Sequence, residues 1–454
     1  MTAELPRIEA SDGCSSGSLP QASSTTRWGR VPLLMVFSGW VAVQALNNVF
    51  LYRVQKAMSV HASMLMNCIW PLATLLLCFL ACLLRLLWQR WAQGDTAHLG
   101  LRWFSPRSPA ASAQGVVPQM WMLRFAFWDQ LHAVSLSRAA PFIPLVLIAP
   151  LGNTLVLWTA LLSCLYLRTK LRRLHLVAIV LVVLSCVAGV VVELQGPPKE
   201  VCEGLSVASA ALQHAEVLES TVEAMEQAKM SCTRGLPPYR DSRGLVVYVP
   251  AGILVAAYIL YMVARLPAAI TICYKQKKMQ KVNLDVMWAF LWTSVWQVVC
   301  GVAFLPLDWL PWPVPGGHST KSPATFFTDL SDCWSCFLGV DPGQEVVASC
   351  SADPAWAVFL VYMLLNLAYN LVGMWLIKNL SAMWISIGSI LCGNLVRVFS
   401  QLALLSGGSA APMTLERALA LALSSVAIYV YNMERAEQVS STSTCNSAIE
   451  DTVV

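Results

Sequence analysis

Apolar residues run through most of this chain in stretches long enough to cross a lipid bilayer. A spanning helix needs roughly 20 apolar residues and pairs all of its backbone groups internally. Ten such stretches alternate with polar connections, so the pattern predicts an all-α polytopic membrane protein with ten transmembrane helices. Their approximate bounds are 32–52, 62–88, 118–137, 141–166, 174–194, 245–273, 283–305, 356–377, 383–405 and 415–433.

The polar segments outside these stretches form two tails and two long loops. Residues 1–30 are rich in Ser, Gly and Thr, and together with 436–454 they are expected to be disordered tails on a transmembrane domain of residues 31–435. In the 195–244 loop, apolar residues recur at near-helical spacing, which predicts an amphipathic helix. The 306–355 loop is distinguished by its cysteines.

Basic residues on alternate connections predict the orientation. Lys and Arg collect after the second, fourth and sixth stretches, whereas the 195–244 loop carries more acidic than basic residues. Because positively charged loops stay in the cytosol, these three connections and both termini are expected on the cytosolic side. The two long loops are then expected on the opposite, non-cytosolic side.

Composition supports the membrane class and excludes others. Hydrophobic residues make up 57% of the chain and charged residues only 12%, which is far from the composition of soluble globular proteins. The net charge of +5 does not indicate nucleic-acid binding, because the basic residues are spread over membrane-edge connections. The lipid bilayer is the expected partner, and nothing in the sequence indicates an oligomeric state.

No motif for soluble-enzyme catalysis, a cofactor or a metal is found. The sequence has no P-loop, no HExxH and no G-x-S-x-G, and its histidines do not pair at ligand spacings. Cys333 and Cys336 form a C-x-x-C, but without a second such pair a structural disulfide in this loop is favoured over zinc. Cys202 and Cys232 bracket the predicted amphipathic helix and fit either a disulfide or two thiols.

Polar side chains within the apolar stretches are the candidate functional residues, because they are costly in lipid and usually face a cavity or a partner. Asp129 lies in the middle of the third stretch and is a candidate proton acceptor, with Arg265 and Arg397 as possible charge partners. The alternative is a structural role in interhelical hydrogen bonds and an Asp–Arg pair. The same choice applies to the amides Asn47, Asn48, Gln297, Asn366 and Asn370.

The order and spacing of these residues resemble the chloroquine-resistance-transporter-like (CRT-like) family of the drug/metabolite transporter superfamily. Asn366 and Asn370, followed by Leu371, are similar to an N-x-x-x-N-L pattern in its eighth helix. Further similar segments are Leu46 to Phe50, Phe290 with Gln297 and Leu305-Pro306, Cys336 to Gly339, and Ser381 to Met383. The resemblance covers roughly residues 32–435.

This resemblance implies a fold and a function. The fold would be two inverted five-helix repeats around a central cavity that opens alternately to each side. The solutes would be peptides, amino-acid-like or thiol compounds such as glutathione, or organic cations, and they would move together with protons. The membrane would be that of a vacuole or another acidic endomembrane compartment, with a plastid envelope as the alternative. By matched position, the implied cavity residues are Asn47, Asn48, Asp129, Gln297, Asn366 and Asn370.

Three departures from the family pattern affect the expected site. Asn153 stands where the family often has a glutamine, and we expect it on the cavity. Arg397 lies in a helix that is normally uncharged, and a buried arginine disfavours cationic solutes unless it is paired. The loop has three cysteines instead of four, and the resemblance implies a disulfide between Cys336 and Cys350 with Cys333 outside it.

The sequence is also compatible with other functions. A nucleotide-sugar or phosphate-type carrier shares the fold but needs paired cations in its cavity. A membrane receptor or structural organiser needs neither a central cavity nor buried amides. A membrane-embedded enzyme is the least favoured, because no catalytic cluster lies within the apolar stretches.

Overall fold

The computed structural model describes most of the helical part of the chain. The described residues are 30–58, 61–93, 104–105, 118–143, 151–166, 173–194, 239–240, 246–247, 251–281, 284–310, 313–314, 317–318, 323–340, 355–379, 382–399 and single positions between 402 and 430. The predicted amphipathic helix, Cys202, Cys232, Cys350, the 436–454 tail and almost all of residues 1–30 and of the tenth stretch lie outside these ranges.

Helices dominate the described residues. They are α1 (Arg30–Met58), α2 (Trp70–Gln93), α3 (Gln119–Ala139), α4 (Thr154–Tyr166), α5 (Arg173–Leu194), α6 (Ala251–Lys281), α7 (Val286–Phe304), α8 (Phe326–Leu338), α9 (Ala355–Asn379) and α10 (Ala382–Phe399). Short helical turns cover Ala62–Met64, Ala140–Phe142, Leu305–Trp309 and Pro323–Thr325. Two antiparallel ladders of two residues per strand pair β1 (Tyr239–Arg240) with β2 (Val246–Val247) and β3 (Pro313–Val314) with β4 (Gly317–His318).

Five helical segments in the described part of the chain are long and apolar enough to cross a membrane. They are Met35–Gln55, Ala62–Gln89, Leu254–Met279, Val286–Trp309 and Ala355–Asn379. Three shorter apolar helices are Thr154–Tyr166, Leu176–Ser185 and Trp384–Val396. The helical membrane class is therefore confirmed, whereas ten spans and the inverted repeat stay predictions.

The bounds of α6 correct one expectation from the sequence. The sixth stretch was expected to end at residue 273, with the following lysines in a loop, but α6 continues to Lys281. Helical lysines extend their aliphatic stems along apolar surface and keep the charge at the edge. Lys275 therefore belongs to the helical bundle and not to a connection.

The packing of the helices leaves space in the middle of the bundle. Helix α1 packs on α9 and α10, while α3 packs on α6 and α7, and α6 also packs on α4. The indole Nε1 of Trp40 donates to the Tyr369 carbonyl at 3.0 Å. A Cβ at Gly388 would overlap the Trp40 ring, so glycine permits the close approach of α10 to α1.

A π-helical turn at Leu65–Ile69 precedes α2 and joins it to two neighbours. The wider π turn interrupts the regular backbone ladder, and Gln130 of α3 donates to the Met66 carbonyl there at 2.9 Å. On the opposite side, a Cβ at Gly301 of α7 would overlap the Asn67 carbonyl. Asn67 also donates to the buried Asp308 at 3.1 Å, so this turn is a fixed junction.

The 306–355 loop contains helix α8 and one of the predicted disulfide cysteines. Cys336 is disulfide-bonded. The side chains of Cys333 and Cys336 are both buried. Gly339 ends α8 in a left-handed conformation with φ of 77°, which a residue without a Cβ adopts readily. The pairing of Cys336 with Cys350 stays a prediction.

Candidate functional site

A cavity of about 230 Å³ lies among α1, α2, α3, α4, α6, α7, α9 and α10. Polar groups on its wall come from helices whose other faces are apolar. Six of the seven expected cavity residues line it, namely Asn47, Asn48, Asp129, Gln297, Asn366 and Asn370. Arg265, expected only as a charge partner, also lines it.

Helix α1 contributes a polar face that follows helical spacing. Along α1, Asn47 and Asn48 follow Gln44 by three and four residues, so both lie on the same side of the helix as Gln44. The Asn48 amide donates to Cys392 Sγ at 3.2 Å, and the Gln44 amide donates to Ser389 Oγ at 3.3 Å, both across to α10. The Asn47 carbonyl oxygen has no partner among the described protein atoms.

Helices α7 and α9 contribute the other amides. Asn370 Nδ2 donates to Asn366 Oδ1 at 2.9 Å, so the two side chains form one connected pair. The Nδ2 group of Asn366 and the Oε1 atom of Gln297 have no described protein partner, although both residues are only 4% exposed. Because buried polar atoms are normally hydrogen-bonded, these donors and acceptors are suited to a polar solute.

Asp129 forms an ion pair within this cavity. Its Oδ2 atom lies 2.8 Å from Lys275 Nζ, and the two side chains are 25% and 10% exposed. Lys275 is thus the described charge partner of Asp129, whereas Arg265, one of the two expected partners, contacts Tyr261. The side chain of Arg397 lies outside what the structure describes. The pair joins α3 to α6 and cancels one negative charge on the cavity wall.

Arg265 approaches the cavity from α6 over an aromatic ring. Its guanidinium carbon lies 4.7 Å from the centroid of the Tyr261 ring, and Nη2 donates to the Tyr261 hydroxyl. A Cβ at Gly152 would lie 3.3 Å from Nη2, so the small residue leaves room for the guanidinium. The Nε–H group has no described partner.

Asn153 is the one expected cavity residue that is not among the residues lining this cavity, although Gly152 and Leu155 are. Asn153 is buried, at 1% exposed, and its Oδ1 atom has no described protein partner. Its backbone carbonyl accepts from the Val156 N–H at 3.0 Å, which begins the first turn of α4.

Several wall residues were not singled out from the sequence. Lys275 belonged to a basic cluster that resembled a loop, and Tyr369 and Ser389 carry no charge to mark them. His132 lies one helical turn after Asp129, and its Nδ1–H donates to the Ala264 carbonyl at 2.7 Å. Among the described residues, no group of three His, Cys, Asp or Glu could hold a metal ion.

Comparisons with known proteins bear on this bundle. Residues 252–431 match the model of the CRT-like, chloroquine-resistance transporter-like family. Crt homolog 1 and Crt homolog 3 of Dictyostelium discoideum are each 24% identical to the chain over 173 residues. That match covers 34% of this chain and 36% and 35% of the relatives, so it spans about a third of their length. Over residues 252–431 the chain is therefore similar to the CRT-like family, which confirms the family resemblance predicted from its sequence.

Proposed function

We propose that this protein is a secondary transporter that moves a small organic solute across a membrane by alternating access. The observation that supports this function best is the polar cavity within an apolar helical bundle, lined by residues from eight helices. In transporters with inverted repeats, helices rock about a site near the middle of the bilayer. Ten helices in two inverted five-helix repeats would supply that motion here.

The chemistry of the cavity supports an amino-acid-like, peptide or thiol solute that forms many hydrogen bonds. The amides of Asn47, Gln297 and Asn366 each retain a donor or acceptor without a described protein partner. Small-molecule sites combine apolar walls with a few well-placed polar groups of this kind. The indole of Trp40 and the ring of Tyr362 supply apolar surface to the wall of the cavity.

Proton coupling is part of the proposal, and the ion pair supports it. An ionised Asp129 holds Lys275 of the neighbouring helix at 2.8 Å. A proton on Asp129 removes the charge attraction that joins α3 to α6, so the two helices gain freedom to move apart. An acidic compartment such as a vacuole, on the side opposite both termini, would supply the proton.

A nucleotide-sugar or phosphate-type carrier is less well supported. Such a carrier needs at least two cations to meet a phosphate group. Two cations, Arg265 and Lys275, line the cavity, but Lys275 is neutralised by Asp129. The remaining single cation fits a singly charged solute better than a phosphate.

Transport can be tested with the purified full-length protein in liposomes. Glutathione, a dipeptide and a basic amine would be offered separately under an imposed pH gradient and without it. We expect saturable uptake of at least one of them, faster with the gradient than without. Uptake of none of the three, by protein with a cooperative thermal unfolding transition, would contradict the proposed function.

A further inference from the structure

The cavity carries one uncompensated positive charge. Three side chains with a formal charge line it, namely Asp129, Lys275 and Arg265. The imidazole of His132 lines it as well. Asp129 and Lys275 cancel each other as an ion pair. The described partner of the Arg265 guanidinium is the neutral phenol of Tyr261, so the positive charge of Arg265 remains.

The position of Arg265 resembles a prepared anion site. Stacking on the Tyr261 ring and the bond from Nη2 to its hydroxyl hold the guanidinium plane in place. The Nε–H group is buried without a described partner. A guanidinium donates parallel hydrogen bonds that match a carboxylate, and an unpaired buried cation is costly until an anion reaches it.

We propose that the solute is an organic anion with one carboxylate, and that Arg265 binds this carboxylate. The rest of the solute would contact the amide groups of Asn47, Gln297 and Asn366. Transport of the anion rests on the function proposed above, whereas its binding at Arg265 does not.

The ion pair links this anion site to the proton. Asp129 of α3 faces Lys275 of α6, and the phenol of Tyr369 on α9 interacts electrostatically with both Asp129 and Arg265. The imidazole of His132, one turn after Asp129 on α3, interacts electrostatically with Arg265. When Asp129 takes up a proton, Lys275 becomes a second positive charge on the wall. Anion binding and proton binding therefore favour each other, and the linkage is reciprocal.

Binding of three matched probes tests the charge preference. The probes are the anion N-acetylphenylalanine, its neutral amide N-acetylphenylalaninamide, and the cation phenethylamine, which share a phenyl group and differ in charge. Affinity would be measured from the rise in the thermal unfolding temperature of the detergent-solubilised protein as each probe is titrated in. We expect the anion to bind most tightly and the cation most weakly.

Variants at Arg265 separate a binding role from a structural one. Arg265→Gln should weaken anion binding roughly 10- to 100-fold, as expected for a lost charge-assisted hydrogen bond, and should leave the neutral amide nearly unchanged. Arg265→Lys keeps the charge and should restore part of the preference. Arg173→Gln removes the same charge from the exposed first residue of α5 and should change none of the three affinities.

The pH dependence completes the test. In the wild type, anion affinity should rise as the pH is lowered, and Asp129→Asn should remove this rise. A wild type that binds the cation most tightly, or none of the probes, would overturn the proposal, as would an Arg265→Gln variant with an unchanged ratio of anion to amide affinity. Anion binding through Arg265 without flux in liposomes would overturn the transport function and leave the anion site standing.

Discussion

The hydrogen-bonding state of individual amides distinguishes two roles on the cavity wall. Asn48 and Gln44 donate across the α1–α10 interface, so they also hold helices together. Asn366 accepts from Asn370 on its own helix, but its Nδ2 group has no described protein partner, so its removal breaks no described hydrogen bond between helices. Solute binding should depend on Asn366 more than overall stability does.

Asp129→Asn tests the proton acceptor at the level of one side chain. The amide is close in shape but cannot take up a proton, so flux driven by a pH gradient should fall to the rate seen without a gradient. Exchange of solute at equal pH on both sides should continue. Both rates would be measured in liposomes, with the wild type as reference. A pH-driven flux equal to that of the wild type would remove Asp129 from the coupling mechanism.

The sequence predicts cavity residues well where a polar group interrupts an apolar stretch. Asn47, Asp129, Gln297 and Asn366 could be identified in this way, because placing each in lipid is unfavourable. Lys275 could not, since it stands at the end of a stretch among other lysines that suggest a loop. Asn153 was also expected on the cavity, but it stands in a turn just before α4 and is not among the lining residues.

Asp285 determines how helix α7 begins. Its carboxylate accepts from the Trp288 N–H at 3.0 Å and pairs with both guanidinium nitrogens of Arg85 on α2, at 3.0 and 2.8 Å. The ion pair is partly exposed, at 36% and 22%, so solvent screening limits its contribution. The N-cap hydrogen bond is therefore expected to contribute more than the charge pair.

Two substitutions of Asp285 separate the cap from the charge. Asp285→Ala removes both and should destabilise the protein by about 1–2 kcal/mol. Asp285→Asn keeps a capping oxygen and should cost about half as much or less. Thermal unfolding in detergent would measure both variants. Equal losses for Ala and Asn would show that the ion pair dominates.

Gly301→Ala tests the junction between α7 and the π turn. The added methyl would overlap the Asn67 carbonyl, and backbone there is held by the Gln130 bond to Met66. Overpacking of this kind costs about 1–3 kcal/mol, so the thermal unfolding temperature should fall.

Gly39→Ala is the matched control for Gly301→Ala. Gly39 lies on an exposed face of α1 with nothing within 4 Å of a Cβ. The alanine there should be neutral or stabilising, because alanine is the better helix former. Equal stability of the two variants would contradict a tight junction at Gly301.

The sequence predicts where helices lie better than it predicts how they begin and end. The apolar stretches at 32–52 and 356–377 lie within α1 and α9, and the 283–305 stretch contains all of α7. The extension of α6 to Lys281 was missed, because hydropathy falls where long basic side chains continue a helix. The π turn was also missed, since it depends on partners from α3 and α7 that are distant in sequence.

At the scale of the whole molecule, a helical bundle with an apolar exterior encloses a cavity with polar groups on its wall. Exposed leucines such as Leu72, Leu76 and Leu364 cover the outside of α2 and α9, as expected for surfaces that contact lipid. The amides and charges converge on the inside. The apolar pattern predicts the exterior, whereas the charge balance of the interior depends on the Asp129–Lys275 pair, which only the packing of α3 against α6 reveals.

The solute is expected to pass through the polar cavity. The most direct test is solute flux in liposomes for two variants on opposite faces of α9, Asn366→Leu on the cavity and Leu364→Ala on the exposed surface. With equal amounts of folded protein, flux should fall at least about tenfold in Asn366→Leu, from the loss of hydrogen bonds to the solute, and should be unchanged in Leu364→Ala. Wild-type flux in Asn366→Leu would contradict a solute path through this cavity.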